Sequence, residues 1–113
     1  MKTLLLALLL TGGAQAAPVF CSLKHSKTLY KDIADLPIND KAKHCALSCQ
    51  LALKCPSYDV WQIGFLKEVY DLFTPGRAEW EDLAADEQGI KLATSNRART
   101  NAECLKECKA IYP

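Results

Sequence analysis

The sequence has no basic cluster and no hydrophobic run long enough to cross a bilayer. Its 14 Lys and Arg residues nearly balance its 13 Asp and Glu residues. A nearly neutral chain lacks the phosphate-neutralising charge on which nucleic-acid binding depends, so nucleic acid is not an expected partner. The motifs H-E-x-x-H and G-x-S-x-G and a Gly-rich phosphate loop are absent as well. The sequence therefore gives no support to the zinc-protease, α/β-hydrolase or nucleotide-binding classes.

Residues 1–16 have the layout of a secretory signal peptide. Lys2 supplies a positive charge, residues 4–10 form an apolar segment too short to span a bilayer, and Ala14-Gln15-Ala16 is a small-x-small cleavage site. A retained membrane anchor is the alternative, but it needs a longer apolar segment. We expect cleavage near Ala16, a secreted or periplasmic protein, and one domain over residues 17–113.

Six cysteines in a small exported chain are typical of three disulfides. Two pairs have C-x-x-x-C spacing, which places both sulfurs of a pair on one helix face. Two such helices packed antiparallel can form two disulfides between them, and the two remaining cysteines can then form the third. A four-thiolate zinc site is the alternative, although C-x-x-C is the commoner zinc spacing. The expected pairs are Cys45–Cys108, Cys49–Cys104 and Cys21–Cys55.

The secondary-structure signals predict an all-α, disulfide-stapled bundle of about four helices with an N-terminal arm. Asn39 and Asp40 are suitable N-caps, Pro56 ends the helix that follows them, and Thr-Pro-Gly at 74–76 predicts a turn. Thr100-x-x-Glu103 has the pattern of a capping box. The expected elements are an extended arm over 17–37, helices near 41–54, 57–73 and 79–93, and a short helix after Thr100.

Three polar runs share a helical spacing. They read D-K-x-x-H-x-x-x-S at 40–48, G-x-x-K-E-x-x-D at 64–71 and D-L-x-x-D-x-x-G at 82–89. Residues three and four apart lie on one face of a helix, so each run forms a polar face. The second and third runs mirror each other, which suggests an antiparallel pair whose glycines allow close approach. The expected contacts are Gly64 with Gly89, Glu68 with Asp86, and Asp71 with Asp82.

This packing predicts a site at which acidic residues and one histidine converge. Carboxylates with a histidine can hold a divalent cation, or one carboxylate can serve as a general acid or base. For Glu68 the neighbouring acids would favour the second role by raising its pKa. The candidate catalytic and metal-ligating residues are His44, Glu68, Asp71, Asp82 and Asp86, with Asp40 and Ser48 at the edge.

Each polar residue also has a structural interpretation. Asp40 can cap its helix, and His44 can be a satisfied, partly buried side chain. Ser48 lies one turn beyond His44 and could be a nucleophile, although serines in helices usually bond to the backbone. The acids can form a solvated face with Lys67 and Lys91 as ordinary partners. His25 lies in the expected arm and has no assigned role.

The three runs resemble those of the YfiM-type small envelope lipoproteins and are more distantly similar to the VanZ-like membrane family. The resemblance covers residues 40–89 and implies an envelope location, but no particular reaction. The chain departs from the family in having no lipid anchor or membrane span and in its six cysteines. The cysteine-flanked His and Ser also resemble carboxy-terminal regions of some polymorphic toxins. The matching residues are Asp40, Lys41, His44, Ser48, Gly64, Lys67, Glu68, Asp71, Asp82, Asp86 and Gly89.

Two classes of function follow from these patterns. The first is an envelope enzyme, either metal-dependent or a carboxylate-based hydrolase; a cell-wall or lipid-linked substrate would fit that location, although no residue identifies it. The second is a non-catalytic secreted binding or structural protein, such as an effector or an immunity-type partner, whose polar cluster sets the helix register. Binding of a divalent cation at a defined stoichiometry would favour the first class.

Overall fold

The computed structural model describes residues 19–73 and 80–113, without the side chains of residues 19, 20, 65 and 68–73. The described residues form α-helices joined by short connections, so the predicted all-α class is confirmed. None of these helices is long and apolar enough to cross a membrane. The helices are α1 (Val19–Ala34), α2 (Asp40–Ala52), α3 (Ser57–Phe73), α4 (Trp80–Thr94) and α5 (Asn101–Ile111).

The segment expected to be an extended arm is mostly helix α1, so that prediction is wrong. The inward face of α1 includes Ser22 and Ile33, which are 0% and 3% exposed, whereas Leu23 and Tyr30 face outward. Ser22 on the buried face and the exposed Leu23 and Tyr30 interrupt the pattern locally, but over its whole length α1 separates polar from apolar residues at the 3.6-residue period, a signal of a helix that the arm prediction overlooked. The apolar side of α1 packs against α2 and α3, which stabilises the helix.

A buried carboxylate joins α1 to α3. Asp59, in the first turn of α3, is 0% exposed. Its Oδ2 accepts a hydrogen bond from the backbone N–H of Ser22 at 3.2 Å. The Cys21–Cys55 disulfide closes the same region. The start of α1 is therefore held by one covalent bond and one buried hydrogen bond.

Helix α2 is central, since it contacts each of the other four described helices. Small side chains make this possible: Ala42, Cys45, Ala46 and Cys49 are all 0% exposed. The Asn39 side chain caps the helix by accepting a hydrogen bond from the Lys41 N–H at 2.8 Å. The predicted N-terminus of this helix is thus confirmed to within a residue.

All three expected disulfides are present. Cys45–Cys108 and Cys49–Cys104 join α2 to an antiparallel α5, and Cys21–Cys55 joins α1 to the α2–α3 turn. Every cysteine of the chain is paired, which excludes the zinc alternative. Three disulfides are typical of proteins from an oxidising, extracytoplasmic compartment.

The ends of α4 and α5 follow standard capping chemistry. Asn96 has a φ of 61°, and the N–H of Arg97 bonds to the carbonyl of Leu92 at 3.0 Å, which is the Schellman pattern that closes α4. The Thr100 hydroxyl accepts a hydrogen bond from the Glu103 N–H at 3.1 Å and so caps α5. The predicted capping box is present, although Glu103 reaches back to the N–H of the residue before Thr100.

Candidate functional site

Helices α2 and α4 run parallel where they meet. Near their starts Lys41 pairs with Asp82, and further along both helices Cys45 lies against Gly89. A Cβ at position 89 would overlap the Cys45 carbonyl oxygen and lie 2.9 Å from the Cys49 amide nitrogen. Only glycine permits this approach, which presses the acidic face of α4 onto the polar face of α2.

Asp82 is surrounded by cationic side chains from two helices. Its side chain is 4% exposed, and its Oδ1 accepts a hydrogen bond from the Nζ of Lys41. Its Oδ2 lies 3.4 Å from His44 Nε2 and 3.9 Å from Lys67 Nζ. These contacts compensate the buried charge, as a stable buried carboxylate requires.

Asp86 lies one turn further along α4 and is equally enclosed. Its Oδ1 accepts a hydrogen bond from the Ser48 hydroxyl at 2.9 Å and lies 3.5 Å from His44 Nδ1. Its Oδ2 faces α3, where a Cβ at Gly64 would lie 2.5 Å away. The glycine therefore lets the backbone of α3 cover the Asp86 carboxylate.

His44 lies between three aspartates. Besides its contacts with Asp82 and Asp86, its Nε2 is 3.6 Å from Oδ2 of the exposed Asp40. Burial by itself would lower the pKa of His44, but the hydrogen bond to Asp86 and the charges of Asp86, Asp82 and Asp40 outweigh it. The pKa of His44 is therefore raised above its ordinary value of 6.5. The imidazole therefore keeps its proton to a higher pH than a free histidine does.

A small cavity of about 140 Å³ opens beside the outer edge of His44. Asp40 contributes to the cavity from the first turn of α2, and α1 contributes the opposite wall. Sequence reasoning missed this cavity because it treated α1 as an arm, although Tyr30, Ile33 and Ala34 have helical spacing. The lining residues are Tyr30, Ile33, Ala34, Asp40, Lys43, His44 and Leu47.

The structure brings together three of the five predicted site residues, His44, Asp82 and Asp86, and places Asp40 and Ser48 in contact with them. The side chains of Glu68 and Asp71 lie outside the described part of the chain, so their roles remain predictions. The turn expected at residues 74–76 also lies outside the described ranges.

The expected contact between Gly64 and Gly89 is wrong. Gly64 packs on the Asp86 side chain, whereas Gly89 packs on the backbone of α2 at Cys45. Gly64 therefore allows α3 to approach α4 closely, and Gly89 allows α2 to do so. The mirrored spacing suggested a single helix pair, but the strongest packing of α4 is with α2.

Three of the site residues could act together as metal ligands. Asp40, His44 and Asp82 each offer one ligand atom, and these atoms lie within 4.8 Å of one another. Two features oppose such binding: Lys41 already neutralises Asp82, and the raised pKa of His44 favours the protonated form, which cannot act as a ligand. A divalent cation would have to compete with an ammonium group and a proton.

A second group, Cys21, His25 and Cys55, also has ligand-like spacing. Both of its sulfurs are joined in a disulfide, so neither is a thiolate. His25 remains without an assigned role.

No protein-family model matches this chain, and neither the curated proteins nor the solved structures yielded a significant match to it.

Proposed function

We propose that the protein is an exported hydrolase of the cell envelope and that His44 is its acid–base group. The observation that carries the proposal is the position of His44. It lies between the buried carboxylates of Asp82 and Asp86, and its side chain is 21% exposed beside a cavity. A histidine with raised pKa, fixed by carboxylates and open on one side, has the features of a general acid–base catalyst.

The contacts suggest a division of roles. Asp86 faces Nδ1 and would fix the orientation of the ring, as a carboxylate does in other acid–base sites. Nε2 faces Asp82 and the exposed Asp40. Because Asp40 also lines the cavity, a proton on Nε2 would lie near the cavity wall that Asp40 forms. A substrate in the cavity would receive that proton on its leaving group, and Asp40 would accept a proton from the attacking water.

The envelope location rests on separate support. Three disulfides suit an extracytoplasmic compartment, and the leader pattern and the resemblance to YfiM-type proteins both favour the cell envelope. A cell-wall or lipid-linked molecule is the expected substrate class. A periplasmic or secreted location is therefore part of the proposal.

The test is hydrolysis by the oxidised protein of purified peptidoglycan, a p-nitrophenyl ester and a lipid substrate. His44→Gln should lower any turnover by about a hundredfold or more, the usual contribution of an acid–base group. His25→Gln is the matched control. His25 lies beside the Cys21–Cys55 disulfide and does not line the cavity, so this variant should retain full activity. Asp40→Asn should lower turnover while the folded structure persists.

The alternative is a non-catalytic binding protein, of effector or immunity type, whose polar cluster fixes the helix register. The pairing of Lys41 with Asp82 and of Ser48 with Asp86 favours it, because a fully satisfied network specifies one packing. This second function would be favoured if the wild type turned over none of the substrates and His44→Gln changed only the stability of the fold. Calorimetric titration with Mg²⁺, Ca²⁺ and Zn²⁺ separates a cation site from both.

A further inference from the structure

The outward face of α1 combines three lysines with two exposed apolar side chains. Lys24, Lys27 and Lys31 are all exposed, and Leu23 and Tyr30 are 55% and 59% exposed. At roughly 100° per residue, the other four side chains lie within about 60° of Lys27 around the helix. They form one continuous strip, which we call the α1 basic face.

This face carries positive charge without local compensation. Among the described residues, no ion pair involves Lys24, Lys27 or Lys31. The single acidic residue of α1, Asp32, lies about 140° from Lys27 around the helix. The chain as a whole is close to neutral and these lysines are not consecutive in the sequence, so the concentration of charge arises only because helix α1 brings them to one face.

We propose that the α1 basic face binds the surface of an anionic phospholipid bilayer. Lysines attract anionic headgroups, and a tyrosine and a leucine along one edge can enter the interfacial region, where tyrosine is enriched. The opposite side of α1 packs on α2 and α3, so the helix lies along the protein surface as an interfacial helix must. A soluble polyanion would use the lysines but would have no need of Leu23 and Tyr30.

Binding through this face has a consequence for the cavity beside His44. Tyr30 belongs to the α1 basic face and also lines that cavity. A protein bound in this way would hold the cavity close to the membrane surface. The membrane-binding proposal itself does not depend on catalysis by His44.

The experiment is co-sedimentation of the oxidised protein with phosphatidylcholine vesicles, with and without about 30% phosphatidylglycerol, at low and high salt. We expect binding only to the anionic vesicles, and loss of that binding at about 500 mM NaCl, because salt screens exposed charges. If the wild-type protein binds neither kind of vesicle, or binds both equally, the proposal is wrong and no variant is needed.

Two variants that each remove three positive charges test whether the α1 basic face is the binding surface. Lys24→Gln/Lys27→Gln/Lys31→Gln should weaken binding by about a hundredfold, at roughly fivefold per lysine near an anionic surface. The control removes three exposed cations elsewhere, as Arg97→Gln/Lys106→Gln/Lys109→Gln, and should bind within a few-fold of the wild type. Equal weakening by both variants would show that net charge, rather than this face, decides binding.

A third variant distinguishes a bilayer from other polyanions. Leu23→Ser/Tyr30→Ser should weaken vesicle binding at least fivefold and leave binding to heparin unchanged. If heparin binds more tightly than the anionic vesicles, and the double variant binds vesicles like the wild type, the partner is a soluble polyanion and the bilayer proposal is wrong.

Discussion

The hydroxyl of Ser48 donates a 2.9 Å hydrogen bond to Oδ1 of Asp86, the same oxygen that lies nearest to Nδ1 of His44. Ser48 and His44 therefore meet on a shared carboxylate, whereas a nucleophilic serine would be hydrogen-bonded to its base. This arrangement makes Ser48 a positioning residue for Asp86. It also links α2 and α4 at a point where both partners are buried.

The raised pKa of His44 predicts a pH-dependent contribution to stability. A group whose pKa is higher in the folded state stabilises the protein below its unfolded pKa of about 6.5, and this contribution is lost as pH rises through the folded value. The difference in unfolding free energy between wild type and His44→Gln should therefore be larger at pH 5.5 than at about pH 8.5. Urea unfolding at both pH values measures it.

The control for this measurement is His25→Gln, which removes the other histidine of the chain. It should preserve the difference in stability that the wild type shows between the two pH values. A His44→Gln variant with the same stability deficit at both values would mean that the aspartates do not favour the protonated imidazole.

Gly89→Ala is expected to destabilise the protein by about 2–3 kcal/mol, even though alanine is the better helix former by about 1 kcal/mol. The new methyl group would overlap the Cys45 carbonyl oxygen, and a helix backbone cannot move aside without disturbing both α2 disulfides. Thermal and urea unfolding under oxidising conditions measure the loss.

Gly64→Ala is the matched comparison, because the atoms nearest its methyl group would belong to the Asp86 side chain rather than to a helix backbone. A side chain can rotate, and alanine favours the helix, so the change in unfolding free energy should stay within about 1 kcal/mol. The variant should instead shift the pKa of His44, measurable by NMR titration, because Asp86 would move. Equal destabilisation by the two alanines would contradict the packing described for Gly89.

Removing only one partner of the Lys41–Asp82 ion pair should lower the free energy of unfolding substantially. Lys41→Met leaves a buried carboxylate whose remaining cationic neighbours among the described residues are His44 and Lys67, and should destabilise by about 1–3 kcal/mol. In the double variant Lys41→Met/Asp82→Leu, much of this loss should be recovered, since no buried charge remains unpaired. A double-mutant cycle with an additive result would show that the two residues do not interact.

The disulfides between α2 and α5 should decide whether the domain folds. They close nested loops of 55 and 63 residues, so either one alone already closes nearly the same loop, and removing both should cost more than about 4 kcal/mol in the chain-entropy model. Replacing all four of these cysteines by alanine should therefore unfold most of the protein at 37 °C, a temperature at which the loss of a native disulfide often abolishes folding of small secreted domains. Circular dichroism follows the loss.

Cys21→Ala/Cys55→Ala provides the comparison, since this disulfide holds only α1 to the α2–α3 turn. Hydrogen exchange should accelerate in α1 and remain slow in α2, where the other two disulfides are intact. Loss of protection throughout the chain would mean that α1 is required for the rest of the fold.

Much of the fold could be predicted because it depends on local chemistry. The Asn39 cap and the Thr100 capping box act within a few residues, and the C-x-x-x-C spacing determines which sulfurs share a face. Helix α1 was missed although its polar and apolar residues separate at the helical period, because Ser22 on the inward face and Leu23 on the outward face interrupt the pattern locally. Its stability comes from partners distant in the sequence.

The sequence by itself determined the helical class, which cysteines share a helix face, and that Asp40, His44 and Ser48 share another, because each depends on periodicity and residue type. Only the tertiary structure decided that Gly89 would face Cys45 and that Lys41 would pair with Asp82. Helical spacing states which residues share a face but not which neighbour that face meets. Here the neighbour is determined by how closely two backbones can approach, and a glycine contacting another helix's carbonyl oxygen sets that distance.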